Sequence, residues 1–136
     1  MAGGAWQITN ASTAGNQATV GRAAPTGGTV AGMIVRLRSL RASVEGTGAG
    51  LAQLVVRDGA TGAGTIIWQA NFRIGANGGD HIEVNSLDLR ATAGNALTIE
   101  FLAGLASAIE TVNAQGDIVP VGYAQGLLLQ QFGKEL

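Results

Sequence analysis

The chain predicts an all-β fold, an antiparallel jelly-roll-like β-sandwich of seven or eight short strands preceded by an extended N-terminal arm. Three observations carry this expectation. Across residues 51–102 apolar and polar residues alternate in short runs, the period of two that sends successive side chains to opposite faces of a strand. Glycine clusters punctuate each run: there are 22 glycines, about twice ordinary usage, against 2 prolines. The runs recur at spacings of roughly 10–15 residues, which suits stacked antiparallel strands better than strands alternating with helices.

Residues 1–28 are mostly Ala, Gly, Thr, Asn and Gln, with Trp6, Ile8 and Val20 as isolated bulky apolar side chains. So few apolar groups cannot offset the entropy of ordering the segment, so it is expected as an arm lying against the domain or a neighbour, with one short strand near residues 18–21. Residues 29–136 form the sandwich and its C-terminal tail. In residues 33–40, Val35 and Leu37 share one face and Arg36 and Arg38 the other. Residues 51–57 place Leu54 and Val56 inward and end at the turn dipeptide Asp58-Gly59. The next run sends Ile66, Trp68, Ala70, Phe72 and Ile74 one way and Thr65, Gln69, Asn71 and Arg73 the other, making a hairpin across a Gly-rich loop.

Ile82 and Val84 alternate with His81, Glu83 and Asn85; a short segment at 87–89 follows, and Ala93-Gly94-Asn95 reverses the chain. Leu97, Ile99 and Phe101 are expected inward, opposite Thr98 and Glu100. A run at 109–114 is followed by Gly116 and then by residues 118–123, where Pro120 suits an edge or terminal strand. Residues 102–109 are compatible with a turn or two of helix, and the last ten residues with a short helix or strand.

Composition limits function. With 8 basic and 9 acidic residues the net charge is −1, which leaves no electrostatic footprint for nucleic acid or an anionic membrane. There is no cysteine, hence no disulfide, thiolate metal site or cysteine nucleophile, as suits folding in a reducing cytoplasm. No basic and apolar leader opens the chain, so a soluble protein without a secretion signal is expected. Asn10-Ala11-Ser12 matches a glycosylation sequon by accident of a polar segment.

Motifs that could carry chemistry are incomplete. The glycines at 46–50 lack a following Lys-Ser/Thr and, like those at 59–64, open no helix, so both read as hairpin loops and not phosphate cradles. Residues 75–82 approach a calcium-binding nonapeptide repeat, but a single copy cannot supply the oxygens that calcium needs. His81 is the only histidine and reads as an exposed imidazole. Nothing in the spacing of Glu83, Asp88, Glu100 and Glu110 builds a glycosidase pair, and aromatic platforms for sugar are scarce. No enzyme, no cofactor and no metal site are expected. Arg36, Arg38 and Arg41 form the single local basic cluster, a solvated strand face or a contact for an acidic partner surface, for which arginine suits better than lysine.

The stretch VRDGATGAGTIIWQANF, then HIEVNSLDL, NALTIEF and a late Gly116-Asp117-Ile118-Val119 resembles small β-sandwich proteins from the head-gene regions of tailed bacteriophages, the capsid cement or decoration proteins. The resemblance covers about residues 29–123 and lies in pattern. It implies a homo-oligomer, trimer or alternatively dimer, on the outside of an icosahedral shell, assembled in the host cytoplasm and fastening adjacent major capsid protein subunits. The expected partner-binding residues are Arg36, Arg38 and Arg41 together with Trp6 and Ile8 of the arm. Alternative readings are a head-fibre or tail component, or a non-catalytic carbohydrate-binding or adhesion module.

Overall fold

The computed structural model describes residues 4–12, 17–24, 33–102 and 108–120. They form nine strands: β1 (Ala5–Ala11), β2 (Thr19–Arg22), β3 (Met33–Gly46), β4 (Gly50–Asp58), β5 (Thr65–Ile74), β6 (Gly78–Val84), β7 (Leu89–Arg90), β8 (Leu97–Phe101) and β9 (Ala108–Pro120). One sheet runs β1-β9-β3-β6, with β7 also on β3, and the other runs β2-β8-β4-β5. The antiparallel pairs nest around the β4–β5 hairpin: β3 with β6, β2 with β8, β1 with β9. Successive pairs fall in alternate sheets, which is a long folded ribbon rolled up into a jelly roll. The expected fold class is therefore the observed one.

The core lies between the sheets. Val35, Leu37, Leu40, Ala42, Val44, Val112, Ala114 and Ile118 from the first sheet meet Val20, Ala52, Leu54, Val56, Phe72, Leu97, Ile99 and Phe101 from the second. The Phe72 and Phe101 rings tilt against each other with centroids 5.9 Å apart.

Several expectations are corrected. The segment 1–28 is not an arm outside the sandwich over its described residues. β1 pairs along its whole length with β9, and β2 with β8. Trp6 is 92% removed from solvent (8% exposed), and Ala18 and Val20 are buried. The few apolar residues suffice because the backbone hydrogen bonds of both strands are supplied by β8 and β9, some 80–110 positions along the chain. Residues 108–120 form one continuous strand in the middle of a sheet, not two runs broken at Gly116 with an edge strand after it. The glycines at 46–50 carry the chain from one sheet to the other and are not a hairpin loop. Ile66 is 41% exposed, not inward: the β4–β5 register shifts at Val56/Arg57, so Ile67 is an extra residue that packs on the core in its place. Thr98 and Glu100 do face away from the core, yet they too are buried. The end of the 118–123 run, most of 102–109 and the last ten residues lie outside the described residues.

β3 changes phase along its length. Val35 and Leu37 point inward, then Leu40, Ala42 and Val44 do, because a register shift between Leu37 and Ser39 inserts Arg38 as a bulge opposite β9. The bulge sits where β9 presents Gly116. A methyl on Gly116 would run into the Arg36 carbonyl oxygen and come within 2.5 Å of Trp6 Cζ2 and 2.8 Å of Cε2. A side chain there is incompatible with both the bulge and the indole.

Candidate functional site

The outward face of the first sheet carries the sequence-singled arginines and two adjoining depressions. Its rungs follow from the pairing register. Ala5, Asp117, Arg36 and Arg90 form one rung; Gln7 pairs with Gln115, which pairs with Ser39; Thr9, Asn113, Arg41 and Glu83 form the next; Ala11, Thr111, Ser43 and His81 follow. The bulge at Arg38 is what makes this possible, since without it the alternation that turns Arg36 outward would turn Arg41 into the core.

The first rung is an ion-pair cluster. Arg36 donates through Nε and Nη2 to Asp117 Oδ1 and Oδ2 at 2.7 and 2.6 Å. Arg38 Nη1 stands 3.8 Å from Asp117 Oδ2, and Arg36 Nη1 stands 4.0 Å from Asp88 Oδ1. Arg90 donates to both oxygens of Asp88 at 2.9 and 3.2 Å. The Arg36 hydrogen bonds hold the Asp117 carboxyl below the usual carboxylate range, against partial burial and with help from the charges of Arg36, Arg38 and Arg90. The same bonds raise Arg36. Asp88 is lowered chiefly by its hydrogen bonds from Arg90.

Arg36, Arg38 and Arg41 thus share a face but not a task. Arg36 is committed to Asp117, and Arg41 donates to Glu83 Oε1 at 3.1 Å. Arg38 keeps 53% of its side chain in solvent and makes only the long approach to Asp117. Of the other two residues expected at a partner contact, Trp6 points into the core and donates Nε1–H to the Asp117 carbonyl at 3.1 Å, and Ile8 is half-buried against the core.

Beyond the first rung the face is uncharged in balance and rich in amides and hydroxyls. One depression of about 200 Å³ is lined by Gln7, Ser39, Arg41, Asn85, Asn113 and Gln115. An adjoining one of about 290 Å³ shares Arg41 and Asn113, reaches Thr9, Ser43, His81, Glu83 and Thr111, and is walled in part by the apolar Ala42 and Ile82. Sequence reading missed Gln7, Thr9, Asn113 and Gln115. Their signal was present as period-two polar positions in the strands, but the alignment of four strands into common rungs is not.

On the outer face of the second sheet the 59–64 loop covers Arg57, Thr98 and Glu100. The side chains of Arg57 and Glu100 form an ion pair there at 13% and 6% exposure. Gly62 N–H donates to Glu100 Oε1 at 3.1 Å, Arg57 Nη1 to the Gly64 carbonyl at 2.8 Å, and Thr98 Oγ1 to the Gly59 carbonyl at 2.8 Å. Asp58 accepts from Thr92 N–H and Oγ1 and from Asn95 Nδ2, tying the hairpin to the 92–95 turn. Partial burial pushes the Asp58 carboxyl up, and those hydrogen bonds outweigh it to leave a net lowering. The carboxylates considered at the outset are thereby placed: Glu83, Asp88 and Glu100 pair with arginine, and the buried Glu110 accepts from Ala18 N–H at 3.4 Å. Among the described residues no three His, Asp or Glu side chains converge as a metal site would need. The 75–82 segment is the β5–β6 connection and start of β6, with Asn77 at φ 55° and Gly78 N–H bonded to the Gly75 carbonyl. Asn10 of the accidental sequon donates its amide to the Thr19 carbonyl at 2.8 Å, linking β1 to β2.

No protein-family profile matches the chain, and no curated protein sequence matches it significantly. Solved structures with a related outline include the capsid asymmetric unit of cyanophage Pam1, at 18% identity over 88% of this chain and 87% of that one, with a TM-score of 0.47. Others are a family 16 carbohydrate-binding module, at 15% identity over 80% and 74% with a TM-score of 0.37, and the tobacco streak virus coat protein, at 10% over 86% and 87% with a TM-score of 0.37. Likeness at this level describes a shared β-sandwich outline and does not speak to function.

Proposed function

We propose that the protein is a virion structural protein, a cement that binds the outside of an icosahedral phage capsid and fastens neighbouring major capsid protein subunits, assembled in the host cytoplasm. The observation that carries this reading is the open edge of β5. Among the described residues its ten residues pair with β4 on one side alone, and they include a single charge, Arg73. Natural edges of that length are guarded by charge, proline or cover. This one instead exposes Ile66 and half-exposes Ile67 and Trp68, which suits strand pairing with a copy of itself or a shell subunit. The pattern resemblance over about residues 29–123 supports the same reading. A homotrimer, or a dimer, is the assembly it implies. Of the basic cluster, Arg38 is the member left to meet an acidic shell surface.

Particles lacking the protein are expected to form but to lose DNA at lower temperature or on magnesium removal, and to recover when it is added back. The doubly charged edge variant Gln69→Lys/Asn71→Lys keeps the fold but loses self-association by light scattering, and with Arg38→Ala it rescues particles poorly. Particles equally robust without the protein remove the cementing role, and a concentration-independent monomer removes the edge as its means.

A further inference from the structure

We infer that the rungs between Gln7 and Asn113 on the outer face of the first sheet form a binding groove for a neutral polyhydroxylated ligand, a glycan. The inference goes beyond capsid attachment and does not depend on it. Each primary amide offers two N–H donors and a carbonyl acceptor a short distance apart, and a sugar hydroxyl both donates and accepts, so neighbouring hydroxyls match a row of amides and hydroxyls without either partner carrying charge. Gln7, Gln115 and Ser39 make one such row and Thr9 and Asn113 open the next, on strands roughly 4.8 Å apart. Among the described residues little of this capacity is used: Ser39 Oγ donates to Gln115 Oε1 at 3.3 Å and Asn85 Nδ2 to Glu83 Oε1 at 3.3 Å.

Charge selects against other occupants. Arg41 and Glu83 cancel each other at the centre of the groove, at 3.1 Å, so neither an anion nor a cation gains there. The free end of the arginine cluster lies one rung away, where Asp117 and Asp88 already meet it. Among the described residues apolar anchors on this face are few: Ile82 lines the second depression and Ile109 stands on the outward rung after Thr111, opposite Glu45, while the exposed Leu51 and Ile66 belong to the second sheet. The two adjoining depressions, about 200 and 290 Å³, give the groove the size of a small-ligand site. Among the described residues no aromatic side chain lines these two depressions; Trp6, 8% exposed, lines a neighbouring one with Gln7, Ser39 and Gln115. Each copy therefore binds weakly, and useful attachment comes from many copies acting on one surface.

The test is a backbone-amide NMR titration of the full chain with neutral gluco-, manno-, xylo- and N-acetylglucosamine oligosaccharides, with heparin and polygalacturonate as charged controls. At least one neutral series is expected to shift Gln7, Ser39, Asn113 and Gln115 resonances with no dependence on salt. Asn113→Ala/Gln115→Ala is expected to weaken that binding about tenfold or more while leaving the rest of the spectrum in place. Silence of these residues toward every neutral series overturns the inference. So does a response confined to the charged polymers, or wild-type affinity in the double variant. None of these results bears on particle stability, which is measured separately.

Discussion

Replacing Gly116 by alanine adds one methyl group at the point where three strands meet, and the structure fixes how badly it fits. The new carbon would collide with the Arg36 carbonyl oxygen of β3 and lie 2.5 and 2.8 Å from Trp6 ring atoms of β1. Real Cβ contacts essentially never fall below 3.0 Å, so the ring atoms would have to give by a few tenths of an ångström and the carbonyl oxygen by considerably more. The indole cannot retreat freely, because its Nε1–H is held by the Asp117 carbonyl, and the carbonyl belongs to the bulged backbone between paired residues. Overpacking against mobile side chains costs about 1–3 kcal/mol, and a clash with backbone in a central strand belongs above that range, about 3–5 kcal/mol. Against a total stability of roughly 5–15 kcal/mol, that is a large fraction.

Urea unfolding followed by tryptophan fluorescence and far-UV circular dichroism measures the loss. Gly75→Ala is the matched control, because nothing lies within 4 Å of a methyl there, and it is expected to change stability by less than about 0.5 kcal/mol. Adding Trp6→Ala to Gly116→Ala relieves the ring contacts but not the carbonyl contact, so the pair is expected to remain well below wild type. A Gly116→Ala protein within about 1 kcal/mol of wild type would refute both the seating of Trp6 on Gly116 and the bulge opposite it.

Two further outcomes follow from the packing. Because Asp117 is held below its unfolded pKa, its contribution is complete above about pH 4 and fades as pH falls through the folded value; Asp117→Asn is therefore expected to be less stable than wild type at neutral pH and to converge with it in acid, as thermal melts across that range would register. Deleting residues 1–11 removes β1 and Trp6 and bares one edge of β9, so the product is expected to be insoluble or unfolded by circular dichroism; a folded, soluble product would restore the arm that sequence reading expected.

Fold class and most strand faces were legible in the residues alone, because alternation is a local signal. Leu54 and Val56, Phe72 and Ile74, Ile82 and Val84, and Leu97, Ile99 and Phe101 all lie where their period of two placed them. Also legible were the Asp58-Gly59 hairpin and the Gly94 turn, whose backbones take positive φ. Relations between distant residues came from packing instead. β1 joins the sheet because β9, more than a hundred positions away, supplies its hydrogen bonds, and β9 passes straight through Gly116 because Trp6 and the Arg36 carbonyl occupy the space of a side chain. Arg36 turned from a free cation into the partner of Asp117 across 81 positions, and Glu100 became buried because the hairpin loop folded over it. The amide rungs belong to the same class. Each strand carries its own polar alternation, but which side chains share a rung is set by register, and register here is set by the one-residue bulge at Arg38, a product of backbone packing that no local pattern encodes.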